Sequence, residues 1–141
     1  AVDRAGPRLQ AVLALNPDAL AQARALDAKR AAGETLGPLH GLPILLKDNI
    51  ETKDNLATTA GALALKDNIT GRDAALSAGL REAGAVILGK TTTPEFGWKG
   101  VTDSPLTGIT RNPWNISKTP GGSSGGAVAA APPAPEPAPS A

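Results

Sequence analysis

The sequence predicts an α/β fold with at least some parallel strand pairing. Two short apolar runs carry that expectation, residues 42–46 (Leu-Pro-Ile-Leu-Leu) and 85–88 (Ala-Val-Ile-Leu), with a helical stretch over residues 73–83 between them. Strand, helix and strand in that order is the pattern of a sheet layered with helices. At 141 residues the chain suits one domain with a single modest core.

The first element is a helix over residues 18–32. Asn16-Pro17-Asp18 supplies a cap, a proline at the first helical position and an acid in the first turn. The following residues are alanine and long straight side chains; Lys29 and Arg30 suit the last turn, and Gly33 closes it. Residues 37–41 (Gly-Pro-Leu-His-Gly) are turn chemistry and lead into the first apolar run. That run reads as a strand buried on both faces, with Pro43 near its start and Lys47 at its exit. In the second helix Leu76 and Leu80 lie four apart on one face, and Gly84 is the stop. The second strand, 85–88, follows. Thr93-Pro94-Glu95 starts a short helix, and residues 99–120 read mostly as loop. The glycine turn 121–126 then opens an alanine helix that Pro132-Pro133 stops after about one turn. This gives a domain over 1–131 and a Pro/Ala-rich tail over 132–141, expected to be disordered or extended.

Composition excludes several classes of function. Residues 1–70 carry 8 basic and 8 acidic side chains and residues 71–141 carry 6 and 5, so no basic face marks a nucleic-acid or anionic-membrane partner. There is no cysteine and only one histidine, His40, which leaves no thiolate nucleophile and no metal site of the zinc type. His40, in its Gly-Pro-Leu-His-Gly turn, reads as a side chain bonding to backbone rather than as a catalytic base. No apolar run approaches the ~20 residues of a bilayer span, no signal-peptide pattern opens the sequence and no cofactor motif appears. A soluble, cytoplasmic chain is the expectation. Aromatic residues are only Phe96, Trp98 and Trp114, so Ala, Leu, Val and Ile must build the core.

One motif misleads. Residues 84–91 (Gly-Ala-Val-Ile-Leu-Gly-Lys-Thr) satisfy the phosphate-loop pattern letter for letter. That pattern needs a flexible loop running into a helix, whereas Ala-Val-Ile-Leu has the makeup of a buried strand and Thr-Thr-Thr-Pro follows. Lys90 is then expected to be a strand-end lysine facing solvent.

The glycines around Ser123 and Ser124 free the backbone for torsions that side chains forbid, and amides in such a turn can converge on an anion. Residues 37–50, Thr58-Thr-Ala-Gly61, residues 80–91, Pro94-Glu-Phe-Gly97, Arg111-Asn-Pro-Trp-Asn115 and residues 119–126 together resemble the amidase signature family of serine hydrolases, with residues up to Asn49 closest to bacterial peptide amidases. The resemblance covers most of residues 4–130. It implies an α/β/α layer with a mixed sheet and hydrolysis of small-molecule or peptide carboxamides by a serine–serine–lysine triad. By that resemblance Lys47 is the catalytic lysine and Ser123 the bridging serine, which in the family follows a cis peptide bond. Gly121, Gly122, Ser124 and Gly125 are supporting residues, as are Asp48 and Asn49. The chemistry is coherent. Desolvation makes a lysine available as a neutral base, and a hydroxyl beside it can accept from one partner while donating to the other.

The sequence departs from the family at one point. The family's acylated serine follows the bridging one by roughly two dozen residues, in a second glycine-rich turn that also forms the oxyanion hole; that count runs past Ala141. Ser140, the one serine after Ser124, sits among prolines and alanines without a glycine nest. The expectation is therefore an N-terminal, truncated piece of an amidase that lacks the nucleophile and is inactive alone. An apolar face left uncovered would favour self-association. The alternative is a non-catalytic α/β fragment acting as a binding or interaction module.

Overall fold

A computed structural model describes residues 8–34 and 36–131; the expected tail, 132–141, and Ser140 lie outside the described residues. Five strands and three α-helices follow in the order β1 (Val12–Leu15), α1 (Ala19–Ala31), β2 (Pro43–Lys47), α2 (Ala75–Glu82), β3 (Val86–Thr91), β4 (Asp103–Ser104), β5 (Gly108–Ile109) and α3 (Gly125–Ala130). The sheet is mixed. Strand β3 is central, with β2 parallel on one side and β1 antiparallel on the other. The α/β class and the parallel pairing through α2 are thus as the two apolar runs predict.

Helix α1 starts two residues later than its cap signal suggests. The Asn16 side chain accepts from the Asp18 N–H at 3.1 Å, and its own amide donates to the Ile87 carbonyl at 2.9 Å. Asn16 therefore ties the helix entry to β3 instead of capping the first turn, and Asp18 takes the cap position. Leu26 and Ala19 then pack on Val86, which places α1 against the sheet.

Three expectations need correction. Strand β2 is half-buried rather than buried on both faces, because among the described residues it is the outer strand of its sheet and Pro43 opens it. On α2, Leu76 is exposed; the helix turns Ser77 inward, where its hydroxyl donates to the Glu51 carbonyl at 2.6 Å. The third concerns Lys90. Strand β3 does not end at Leu88 but runs on through Gly89, Lys90 and Thr91, each paired to β1 and β2. Lys90 is consequently 0% exposed, not a solvated strand end.

The continuous strand through this stretch, bulged at Leu88 against β2, also removes the loop that a phosphate site would require. Strand β1 and the short β4–β5 hairpin have no counterpart in the sequence expectation. Among the described residues no helix is long and apolar enough to cross a membrane.

Candidate active site

Lys47 is the last residue of β2 and faces the turn that precedes α3. Its Nζ donates to Ser123 Oγ at 2.6 Å, although the two residues are 76 apart in sequence. The amine is half-buried, and desolvation holds its pKa below the ordinary lysine value of 10.5.

The serine is fixed through its backbone. Thr93 Oγ1 donates to the Ser123 carbonyl at 3.0 Å, and the Gly122–Ser123 peptide is cis. Gly121 has a φ of +88°, and its carbonyl accepts from Thr102 Oγ1 at 2.9 Å. Gly122 lies so close to the Val101 backbone that a Cβ would stand 2.8 Å from it. The Gly125 N–H donates to Thr102 Oγ1 at 3.0 Å, and the Gly126 N–H to the Thr92 carbonyl at 3.2 Å. Ser124, the cap position of α3, is exposed and points no hydroxyl at the helix. Gly121, Gly122 and Gly125 therefore seat the turn on the segment after β3, whereas Ser124 is exposed.

Gly97 closes the pair from the other side. A Cβ on it would lie 3.8 Å from Lys47 Nζ, from Ser123 Oγ and from Asn49 Nδ2 alike. With a φ of +67° this backbone is also strained for any residue carrying a side chain. Gly97 belongs to a motif that the sequence presents, but its place over the amine depends on the turn at residues 94–97, which no local pattern reveals. Asn49 reaches the same point in space, while Asp48 points away from the amine into the interior.

Asp48 is fully buried and accepts from the Thr59 N–H at 3.2 Å, from the Thr59 hydroxyl and from the Gly61 N–H at 3.3 Å. Desolvation pushes its pKa up, against the Thr59 and Gly61 hydrogen bonds and the Lys90 charge, which pull it down. Lys90 donates to the Ile50 carbonyl and, at 3.0 Å, to Thr58 Oγ1; desolvation lowers its pKa. His40 stays out of this group. Its Nδ1 accepts from the Leu36 N–H at 3.0 Å and its Nε2 bonds the Leu26 carbonyl at 2.9 Å, so it ties α1 to the turn before β2.

Comparison with known proteins gives a consistent set of relatives. A family model described as Amidase matches residues 1–131. The chain is 47% identical over 125 residues to an indoleacetamide hydrolase of Bradyrhizobium diazoefficiens, covering 88% of this chain and 24% of that one. It is 49% identical over 124 residues to a glutamyl-tRNA(Gln) amidotransferase subunit of Moorella thermoacetica, covering 87% and 25%. Among solved structures, the native peptide amidase from Stenotrophomonas maltophilia superposes with a TM-score of 0.82 at 50% identity, over 89% of this chain and 26% of that one. The chain spans about a quarter of the length of the relatives it matches.

Proposed function

We propose, from the premise that this chain belongs to the amidase family, that it supplies the proton-relay half of a site that hydrolyses carboxamides. The Lys47–Ser123 hydrogen bond of 2.6 Å carries this reading. Desolvation disfavours the ammonium form of Lys47 and holds its pKa below the ordinary lysine value, which suits the amine to accept a proton. Ser123 Oγ can pass its own proton to that amine while accepting one from a second hydroxyl. In the family that second hydroxyl belongs to the acylated serine, which attacks the amide carbonyl. As the tetrahedral adduct collapses, the carbon–nitrogen bond breaks and the relay, now charged at Lys47, returns a proton to the departing nitrogen. Water then attacks the ester, passing its proton through Ser123 to Lys47, and as the carbon–oxygen bond breaks the relay returns that proton to the departing serine oxygen. The described residues hold Lys47 and Ser123; they contain no second glycine-rich serine turn after 121–126.

The substrate on this reading is a small-molecule or peptide carboxamide, and the setting is cytoplasmic. Asn49 and the backbone at Gly97 line the pair and bound the space for the carboxamide. Of this relay the described residues supply the transfer between Ser123 and Lys47.

A joined enzyme tests the proposal. Residues 1–131 are fused at the end of α3 to the remaining three quarters of the Stenotrophomonas peptide amidase. The fusion is expected to hydrolyse a C-terminally amidated peptide and to be labelled by a fluorophosphonate. The 141-residue chain alone is expected to do neither. A folded fusion that is labelled yet leaves amides intact would overturn the relay reading, and turnover by the chain alone would show that it carries its own nucleophile.

A further inference from the structure

Beneath the site lies a second lysine that the proton relay does not use. Lys90 is the largest fully buried side chain among the described residues, and Asp48 is equally sealed from solvent. They make no direct ion pair. Instead they meet through the Thr58–Thr59 dipeptide, where Lys90 donates to Thr58 Oγ1 and Asp48 accepts from the Thr59 amide and hydroxyl.

Charge matching singles these two out. Four carboxylates act on Lys90, namely Asp48, Asp54, Glu51 and Asp73. Asp54 and Asp73 are held by Arg81, Asp73 also by Lys53, and Glu51 by Arg72. That leaves Asp48 as the carboxylate with no other cation, and Lys90 is the one charged group that pulls its pKa down. A buried charge with no partner costs several kcal/mol, so each accounts for the other's presence in the interior.

The pair connects to the site by contiguous bonds. Asp48 follows Lys47 directly, and its N–H donates to the Thr91 carbonyl at 3.1 Å, which fixes the end of β2. The loop it grips, residues 59–61, offers the Ala60 carbonyl to the Phe96 N–H at 2.7 Å. Phe96 precedes Gly97, which covers the amine. We propose that Lys90 and Asp48 form a buried, threonine-bridged charge pair that positions Lys47, holding both the strand end that carries the amine and the Gly97 wall that shields it. Neither touches Ser123 or the amine, so both are positioning residues. This inference rests on the reading of Lys47 as the relay base.

The test follows the ¹³Cε titration of Lys47 in the 141-residue chain, the signal being assigned by its loss in Lys47→Arg. Wild type is expected to titrate below 10.5. In Asp48→Asn and in Lys90→Met the midpoint is expected to rise toward 10.5, because the loosened wall lets water reach the amine. In the double variant it is expected to return toward wild type, since removing both buried charges together is far better tolerated than removing one. If a single variant does not fold, Thr58→Val, which deletes only the bridging hydroxyl, carries the same expected rise. A wild-type midpoint at 10.5 would overturn the relay reading itself. A low wild-type midpoint that stays put in the folded single variants would leave that reading standing and overturn the positioning pair. A double variant no closer to wild type than its parents would also overturn the pair.

Discussion

Replacing Lys47 by alanine in the joined enzyme is expected to lower kcat/KM for a carboxamide by about 10²–10⁴, the usual range for loss of a positioned base. The loss should fall on kcat, because Lys47 exchanges protons and makes no contact that grips the substrate in its ground state. Arginine should not rescue it. A guanidinium keeps its proton throughout the accessible range and cannot offer a lone pair to Ser123. Steady-state kinetics on Lys47→Ala and Lys47→Arg check this. Retention of more than about a tenth of the activity by the arginine variant would mean that charge, not proton transfer, is what position 47 supplies.

Gly126→Ala is expected to destabilise the fold by about 3 kcal/mol, the upper end of what overpacking costs. A Cβ there would stand 2.6 Å from the Thr92 carbonyl oxygen and closer still to the Thr92 amide. Thr92 cannot yield, because its hydroxyl is held by the Gln10 carbonyl at 3.0 Å and by Thr110 Oγ1 at 2.7 Å. Helix α3 must therefore lift from β3, which draws Ser123, three residues upstream, away from Lys47. Against a total of about 5–15 kcal/mol this is a large fraction. Gly79→Ala is the control. It lies in α2 with open space around it, so it is expected to stabilise by about 0.5–1 kcal/mol. Thermal melts should then move in opposite directions. Equal midpoints for the two variants would show that the contact between α3 and Thr92 does not limit stability.

How much of this was legible in the sequence differs from element to element. Strands β2 and β3 and helix α2 announce themselves because their apolar runs and glycine stops are local signals. Strand β1 does not. It has four residues, and its pairing with β3 is decided far away in the sequence, from Val12 to Thr91 and from Leu15 to Gly89. Lys90 was misread for a related reason: a lysine after an apolar run looks solvated, and only Asp48, Ile50 and Thr58, brought in from elsewhere in the chain, make its burial tolerable. Leu76 and Ser77 show the reverse case, since four-residue spacing pairs Leu76 with Leu80, yet Leu76 is exposed, Leu80 only half-buried, and the Glu51 carbonyl draws Ser77 inward.

The site divides in the same way. No periodicity links Lys47 to Ser123; family resemblance alone set the two side by side in the sequence reading, and the structure brings them to 2.6 Å. The glycines of the 121–126 turn could be flagged as a group, but the separate reasons for them could not. Gly122 avoids Val101, Gly125 avoids Thr102 and Gly126 avoids Thr92, all on a segment that adjoins the turn only in the fold. Gly97 and Thr93 were missed as site residues because each acts through backbone geometry at positions where the sequence shows only a short helix start.

A double-mutant cycle on Lys47 and Ser123 in the joined enzyme probes the shared proton path most directly. If the two side chains hand one proton along a single line, Lys47→Ala/Ser123→Ala should be no slower than the worse of the two single variants. Losses in kcat/KM that instead multiply would mean that lysine and serine act independently, and the relay would have to be abandoned.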